Sequence, residues 1–199
     1  MAVFTFIVSV LFAYLLGSVS FSYIAGKMVA GVDIRQHGSG NAGATNTLRV
    51  IGVKWGLIVL LADVVKGVLA VAFAHLITGG SLVAMTFAGL FAIIGHNWPI
   101  YYGFRGGKGV ATTIGVLFTL GFMPALYAGL VGLVLIVLTR YVSLGSLVFV
   151  TLTPIFAIAM RLPWYVIVIA FVIAIMSFWR HRSNIERLLH GQERKVFQR

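Results

Sequence analysis

Residues 110–138 read VATTIGVLFTLGFMPALYAGLVGLVLIVL, and the division of this apolar block decides the fold. Three stretches outside it carry most of the cations. Residues 27–54 hold Lys27, Arg35, Arg49 and Lys54 against Asp33, and residues 98–109 hold Arg105 and Lys108. The tail, 180–199, holds Arg180, Arg182, Arg187, Arg194, Lys195 and Arg199. Lysine and arginine collect on the cytoplasmic side of membrane proteins, so all three stretches should lie on that face. An even number of crossings must then separate each stretch from the next. Apolar runs near 55–77 and 81–97 satisfy this for the first two. Beyond 109 come the block, a run near 142–160 and a run near 164–179. As one helix the block gives an odd count; split at Gly121-Phe-Met-Pro124 it gives an even one. Proline suits a helix start and glycine a helix end. With a first helix near 3–26, the spacing predicts seven spans, the N-terminus outside and the C-terminus cytoplasmic. The half-blocks are then short, about 20 Å each at ~1.5 Å per residue. Five spans plus a re-entrant hairpin is the alternative with the same parity.

The composition agrees with a membrane protein. The chain has 199 residues, of which 60% are hydrophobic and 10% charged, and its mean hydropathy is +1.04. Such values lie far from those of a soluble domain, and apolar runs of helix-spanning length recur along it. Period-two alternation with a polar lumen face, the mark of a membrane barrel, is absent. The fold class predicted is all-α, a polytopic membrane helix bundle forming a single domain over 1–199. The N-terminal run lacks a basic start and is too long for a signal peptide, so it reads as a retained first helix. The net charge is +11. In a soluble protein that would suggest nucleic acid; here basic loops against anionic lipid explain it, and no nucleic-acid partner is expected. There is no cysteine, which removes disulfide and thiolate chemistry.

Between these runs lie stretches too peculiar to be plain connections. Residues 38–49 read GSGNAGATNTLR. Gly38, Gly40 and Gly43 permit positive φ and close backbone approach. Successive amides in such a loop form an anion-binding concavity, and the helical run that follows adds its N-terminal amides. Ser39, Asn41, Thr45 and Asn46 supply side-chain donors, and Arg49 a fork suited to phosphate. The plainer alternative is a glycine-rich connection whose Asn and Thr cap a helix. The second stretch, 95–113, reads GHNWPIYYGFRGGKGVATT. Trp98, Tyr101, Tyr102 and Phe104 fit an interfacial aromatic belt. Arg105, Gly106, Gly107, Lys108 and Gly109 stand just before a helix, again a phosphate geometry. A Walker loop is rejected, because Tyr102 and Gly109 occupy positions where it needs Gly and Ser or Thr. The third stretch, 179–193, reads WRHRSNIERLLHGQE. Juxtamembrane binding to anionic lipid accounts for its arginines. His181 and Asn184 share a helical face. His181-x4-Glu186 is not the His-x4-Asp of many glycerolipid acyltransferases, and Glu186 is expected to pair with a nearby cation. A fourth polar point, Arg140 to Ser146, adds Ser143 and Ser146 on the same face.

Asp63 and Lys66 sit three apart within an apolar run. Intramembrane charges are functional candidates by default, and mutual pairing is the structural alternative. His96 lies near the second stretch and is a candidate acid–base group; His75 is interfacial. No His/Cys/Asp/Glu cluster suggests a metal, and no Ser-His-Asp or Cys-His arrangement is evident. Many donors and cations with few carboxylates point to a phosphorylated substrate beside a lipid chain.

GSGNAGATNTLRVIG, GHNWPIYYGFRGGKGVATTIG and HRSNIERLLHGQE together resemble the bacterial PlsY family, integral membrane acyltransferases that use acyl-phosphate. The resemblance spans nearly the whole chain. It implies acyl transfer from acyl-phosphate to glycerol 3-phosphate, giving lysophosphatidic acid and phosphate, without a cofactor or a covalent acyl-enzyme. It implies a multi-pass protein of the bacterial cytoplasmic (inner) membrane, with its site on the cytoplasmic side, in contact with membrane lipid and with the soluble enzyme that makes acyl-phosphate. Ser39 and Arg49 match the first motif's essential pair. Gly106, Gly107 and Gly109 match glycerol 3-phosphate-binding positions. His181 and Asn184 match functional positions, and Glu186 one tied to structural integrity. Arg49 and Lys108 would neutralise the two phosphates. The proton acceptor is left open among His181, His96 and a substrate phosphate oxygen. The competing class is a transporter or flippase for an organophosphate or lipid phosphate, weakened by the lack of an internal repeat.

Overall fold

The computed structural model describes residues 1–196; Arg199, counted above in the basic tail, lies outside them. The described residues form α-helices joined by short turns, with no strand. They gather into two compact units that meet in sequence at Leu120 and Gly121. The apolar block 110–138 is therefore two helices, and the boundary between the units falls inside it.

The first unit begins with α1 (Ala2–Gly17) and α2 (Phe21–Ala30). The sequence predicts one helix over 3–26, and this is corrected by a break at Ser18–Ser20. Apolar patterning hid the cause, which is polar. The Ser20 hydroxyl accepts the Tyr23 amide at 3.3 Å and so starts a new helix. The carbonyls of Gly17 and Val19 leave the helix ladder and accept from Lys66 Nζ at 2.9 and 2.7 Å. α3 (Ala44–Ile51) follows the first glycine stretch, then α4 (Val53–Ile77), α5 (Leu82–Asn97) and α6 (Val110–Leu120). Small residues let the backbones approach. A Cβ on Gly95 would strike the Tyr14 carbonyl, joining α1 to α5, and one on Gly115 would strike the Val64 carbonyl, joining α6 to α4. The core between α1, α4 and α5 is a run of alanines, Ala13, Ala70, Ala74, Ala88 and Ala92. Leu57, Leu61, Val65, Leu69 and Leu76 of α4 are exposed, as an apolar face turned to lipid would be.

The second unit holds α7 (Phe122–Thr139), α8 (Val142–Ala159), α9 (Trp164–Arg180) and α10 (Arg182–Leu189). α7 and α8 cross at Gly132 and Gly145, where each glycine faces the other's carbonyl. Among the described residues five stretches are long and apolar enough to cross a membrane: Ala2–Ala30, Val53–Ile77, Leu82–Tyr102, Phe122–Thr139 and Val142–Ala159. The pair α9–α10, bent by 63°, makes a sixth if taken as one. α6 is apolar but has only 11 residues, about 16 Å at ~1.5 Å per residue, against a hydrocarbon core of about 30 Å.

Candidate active site

The first glycine stretch is shaped from within. Asn46 is 1% exposed. Its Oδ1 accepts the Ser39 amide at 2.8 Å, and its Nδ2 donates to the carbonyls of Ile34 and His37, each at 3.0 Å. Asn46, expected to meet substrate, instead holds residues 34–39 in place. Gly38, at φ 63°, packs on the Asn46 side chain, where a Cβ would strike Oδ1. Ser39 and Gly40 are thereby presented on an exposed turn, with Asn41, Thr45 and Arg49 half-buried behind it. The Thr47 hydroxyl lies 2.9 Å from Ser22 Oγ, tying α3 to α2.

A second brace is Arg35. Its guanidinium donates to Asp33 through Nε at 2.9 Å and Nη2 at 2.8 Å, and through Nη1 to the Tyr102 carbonyl at 2.9 Å. The side-chain hydrogen bond from Arg35, opposed by burial, lowers the Asp33 carboxyl to about 2. The pair therefore persists through the physiological range and is lost only as pH falls from about 4 towards 2.

The Arg35 bond links the first stretch to the second, and Gly107 links them again. A Cβ on Gly107 would strike His96 Nε2 and stand 2.6 Å from the Ala42 carbonyl oxygen. The Gly107 amide donates to the His96 carbonyl at 3.1 Å. Gly109, at φ 77°, starts α6, with the Thr113 amide donating to its carbonyl at 2.7 Å. Gly106 is likewise closed in, by the same His96 carbonyl. These glycines are close-packing positions, and between them Lys108 is half-buried while Arg105 is exposed. Gly107→Ala should displace the loop by ~1 Å and lower turnover by about 10²-fold, while thermal denaturation reports a folded bundle. Turnover near the parent value would refute the packing argument.

Asp63 and Lys66 pair with each other, Nζ to Oδ1 at 2.8 Å, so the structural alternative holds for them. His75 is exposed near the end of α4.

The second unit brings together the third stretch and the start of α8. His181 ends α9 and is 3% exposed; its Nδ1 lies 2.8 Å from the Ser177 carbonyl, which fixes that nitrogen as the donor. Nε2 is then the basic nitrogen. Around Asn184 the organising group is Glu193. Its Oε1 accepts from Asn184 Nδ2 at 2.6 Å and from Ser143 Oγ at 2.8 Å, and its Oε2 from Arg187 Nε at 2.8 Å. The Val196 amide donates to the Arg140 carbonyl at 2.8 Å, so the tail lies along the start of α8. Ser143, expected to bind substrate, spends its proton on Glu193, and the Ser146 hydroxyl donates to the Val142 carbonyl at 2.7 Å. Glu186, expected to brace this region by pairing with a cation, is exposed, and the neighbouring Arg187 pairs with Glu193 instead. Glu193 escaped the sequence reading although it stands in the quoted stretch. The signal available was scarcity: only 4 acidic residues occur in the chain, and each repays separate attention.

Burial pushes the Glu193 carboxyl up, but the hydrogen bonds from Asn184, Ser143 and Arg187, with the Arg187 charge, outweigh it and hold it below its usual value. A depressed carboxyl contributes stability above its unfolded pKa and loses it as pH falls through the folded one. Glu193→Gln should therefore lower stability at pH 7 by about 1–3 kcal/mol, and the parent should converge on the variant below about pH 4. Denaturation curves that stay parallel across pH would refute this.

The described residues thus define a helical membrane protein with two braced, glycine-rich, cation-bearing loops in one unit and a His–Asn corner in the other. Comparison narrows the class. The family model for glycerol-3-phosphate acyltransferase matches residues 7–191, across both units, and the chain belongs to that family. It is 57% identical to a glycerol-3-phosphate acyltransferase of Shouchella clausii over 96% of this chain and 95% of that one. It is 59% identical to one from Halalkalibacterium halodurans over 92% of each. A crystal structure of PlsY, an integral membrane glycerol 3-phosphate acyltransferase, in its glycerol 3-phosphate form superposes with a TM-score of 0.91 at 39% identity, covering 97% of this chain and 99% of that one. The lysophosphatidic acid form of PlsY gives 0.87 at 40% identity, covering 96% and 94%.

Proposed function

We propose that this protein transfers an acyl group from acyl-phosphate to glycerol 3-phosphate, as the first acylation of phospholipid synthesis. The observation that carries the reading is the likeness to PlsY in its glycerol 3-phosphate and lysophosphatidic acid forms. A glycerol hydroxyl oxygen attacks the acyl carbonyl carbon, the carbon–oxygen bond to phosphate breaks, and phosphate leaves with the electron pair. An acyl-phosphate is already activated, so positioning and charge stabilisation suffice and no acyl-enzyme is needed. Arg49 and Lys108 neutralise the two phosphates, with the side chains of Ser39, Asn41, Thr45 and Arg105 as further donors; the Gly40 amide, expected to bind substrate, is spent on the His37 carbonyl at 3.0 Å. The hydroxyl proton goes to His181 Nε2 or to a substrate phosphate oxygen, and Asn184 orients the reacting groups. The chain acts as a single membrane domain in the bacterial inner membrane, in contact with the soluble enzyme that supplies acyl-phosphate.

The purified protein given palmitoyl-phosphate and glycerol 3-phosphate should form lysophosphatidic acid and phosphate without nucleotide. Phosphate movement across liposomes with no acyl product would instead establish a transporter. Product only with acyl-CoA or acyl carrier protein would replace the donor.

The proposed topology is seven crossings, with the N-terminus outside and the glycine loops and C-terminus in the cytoplasm. Because the chain has no cysteine, single cysteines at 40, 105 and 190 give a clean test. All three should react only from the cytoplasmic side, and external labelling of any one breaks the parity argument.

A further inference from the structure

Three buried side chains of the first unit have no part in the chemistry proposed above. Asp63 and Lys66 of α4 are each 1% exposed, and His96 of α5 is 7% exposed. They are in mutual contact. Lys66 Nζ and His96 Nδ1 approach the same oxygen, Asp63 Oδ1, at 2.8 and 3.5 Å. A pair that served only to hide two charges would need neither the imidazole nor the lysine's bonds to the Gly17 and Val19 carbonyls. The carboxylate lies against one edge of the imidazole, 3.5 Å from Nδ1. The other edge, Nε2, faces Gly107, so closely that no side chain fits there, and the His96 carbonyl accepts the Gly107 amide. On its far side Gly107 meets the Ala42 carbonyl of the first glycine stretch. A continuous line of contacts thus runs from the α1–α2 break through Lys66, Asp63 and His96 to the backbone beside Lys108.

We propose that His96, packed between Asp63 and Gly107, is a positioning residue that sets the 105–109 loop and through it places Lys108 on a substrate phosphate. The inference rests on the acyl-transfer reading and assigns a purpose to the intramembrane charges. An apolar side chain of similar size fills the volume but can rotate. A ring packed between a buried carboxylate and the glycine presents one fixed edge to the loop, and a phosphate contact held in place in this way strengthens substrate binding.

The test uses the full-length protein in detergent, with hydrogen–deuterium exchange read alongside kinetics. His96→Leu removes both the Nδ1 that faces Asp63 and the Nε2 edge that faces Gly107, whereas His96→Asn keeps a polar group near Asp63 but leaves the Gly107 edge empty. In His96→Leu the 105–109 amides should exchange about tenfold faster while α4 and α5 stay protected. KM for glycerol 3-phosphate should rise about tenfold, with kcat within about threefold of the parent. His96→Asn should match His96→Leu in both readouts to within about threefold, because the edge against Gly107 is what sets the loop. Unchanged loop exchange in His96→Leu overturns the proposal, whatever the activity. So does a faster loop with unchanged KM, and so does loosening that spreads through α4 and α5, which would mark a purely structural role. A parent protein that forms no lysophosphatidic acid refutes the acyl-transfer reading itself, and the exchange experiment still decides whether His96 sets the loop.

Discussion

Arg49→Ala and Lys108→Ala are each expected to lower lysophosphatidic acid formation by about 10²–10³-fold, because under the proposed acyl-phosphate reaction each removes a cation that answers one of two phosphates. Arg49 lies in the last turn of α3, and Lys108 lies in a loop held by its glycine backbone. Asn46 and Arg35 brace the first stretch, and the His96 carbonyl and ring close on the second. Tm measured for each variant tells lost catalysis from lost fold. Lys108→Arg should recover part of the rate, since charge returns but the point-like ammonium does not. Near-normal turnover in either alanine variant would remove that side chain from the phosphate assignment.

Lys66→Met is expected to have the largest effect on stability, about 3–5 kcal/mol, equivalent to a fall in Tm of roughly 10 °C or more. Three losses coincide. The Asp63 carboxylate keeps its burial but loses its cation, and the Gly17 and Val19 carbonyls lose their donor at the break between α1 and α2. The double variant Asp63→Leu/Lys66→Met removes the stranded charge and should recover about half of the loss. It should not recover all of it, because the two carbonyls remain without Nζ. Thermal denaturation of the three proteins in detergent checks the order. A double variant no more stable than Lys66→Met would show that the carbonyl caps, rather than the ion pair, dominate.

Several features were legible in the sequence because they depend on near neighbours along the chain. Apolar run length gave an all-helical membrane protein. Glycine at 121 followed by proline at 124 gave the division of 110–138, seen between Leu120 and Phe122. The three motifs gave the family. Other features depend on groups distant in sequence, and only tertiary structure decides those. Lys66 reaches back to Gly17 and Val19 and so breaks a helix that hydropathy draws as continuous. Asn46 has the residue type of a ligand contact, yet its amide is consumed by the Ile34 and His37 carbonyls. Glu193 rather than Glu186 braces the His–Asn corner, because Ser143, Asn184 and Arg187 converge on it from two helices. Residue type and spacing determine which groups a chain can offer. Whether a donor faces a substrate or a carbonyl depends on which backbone atoms folding leaves unsatisfied beside it, and in a lipid-embedded protein those are answered first, since water is not there to answer them.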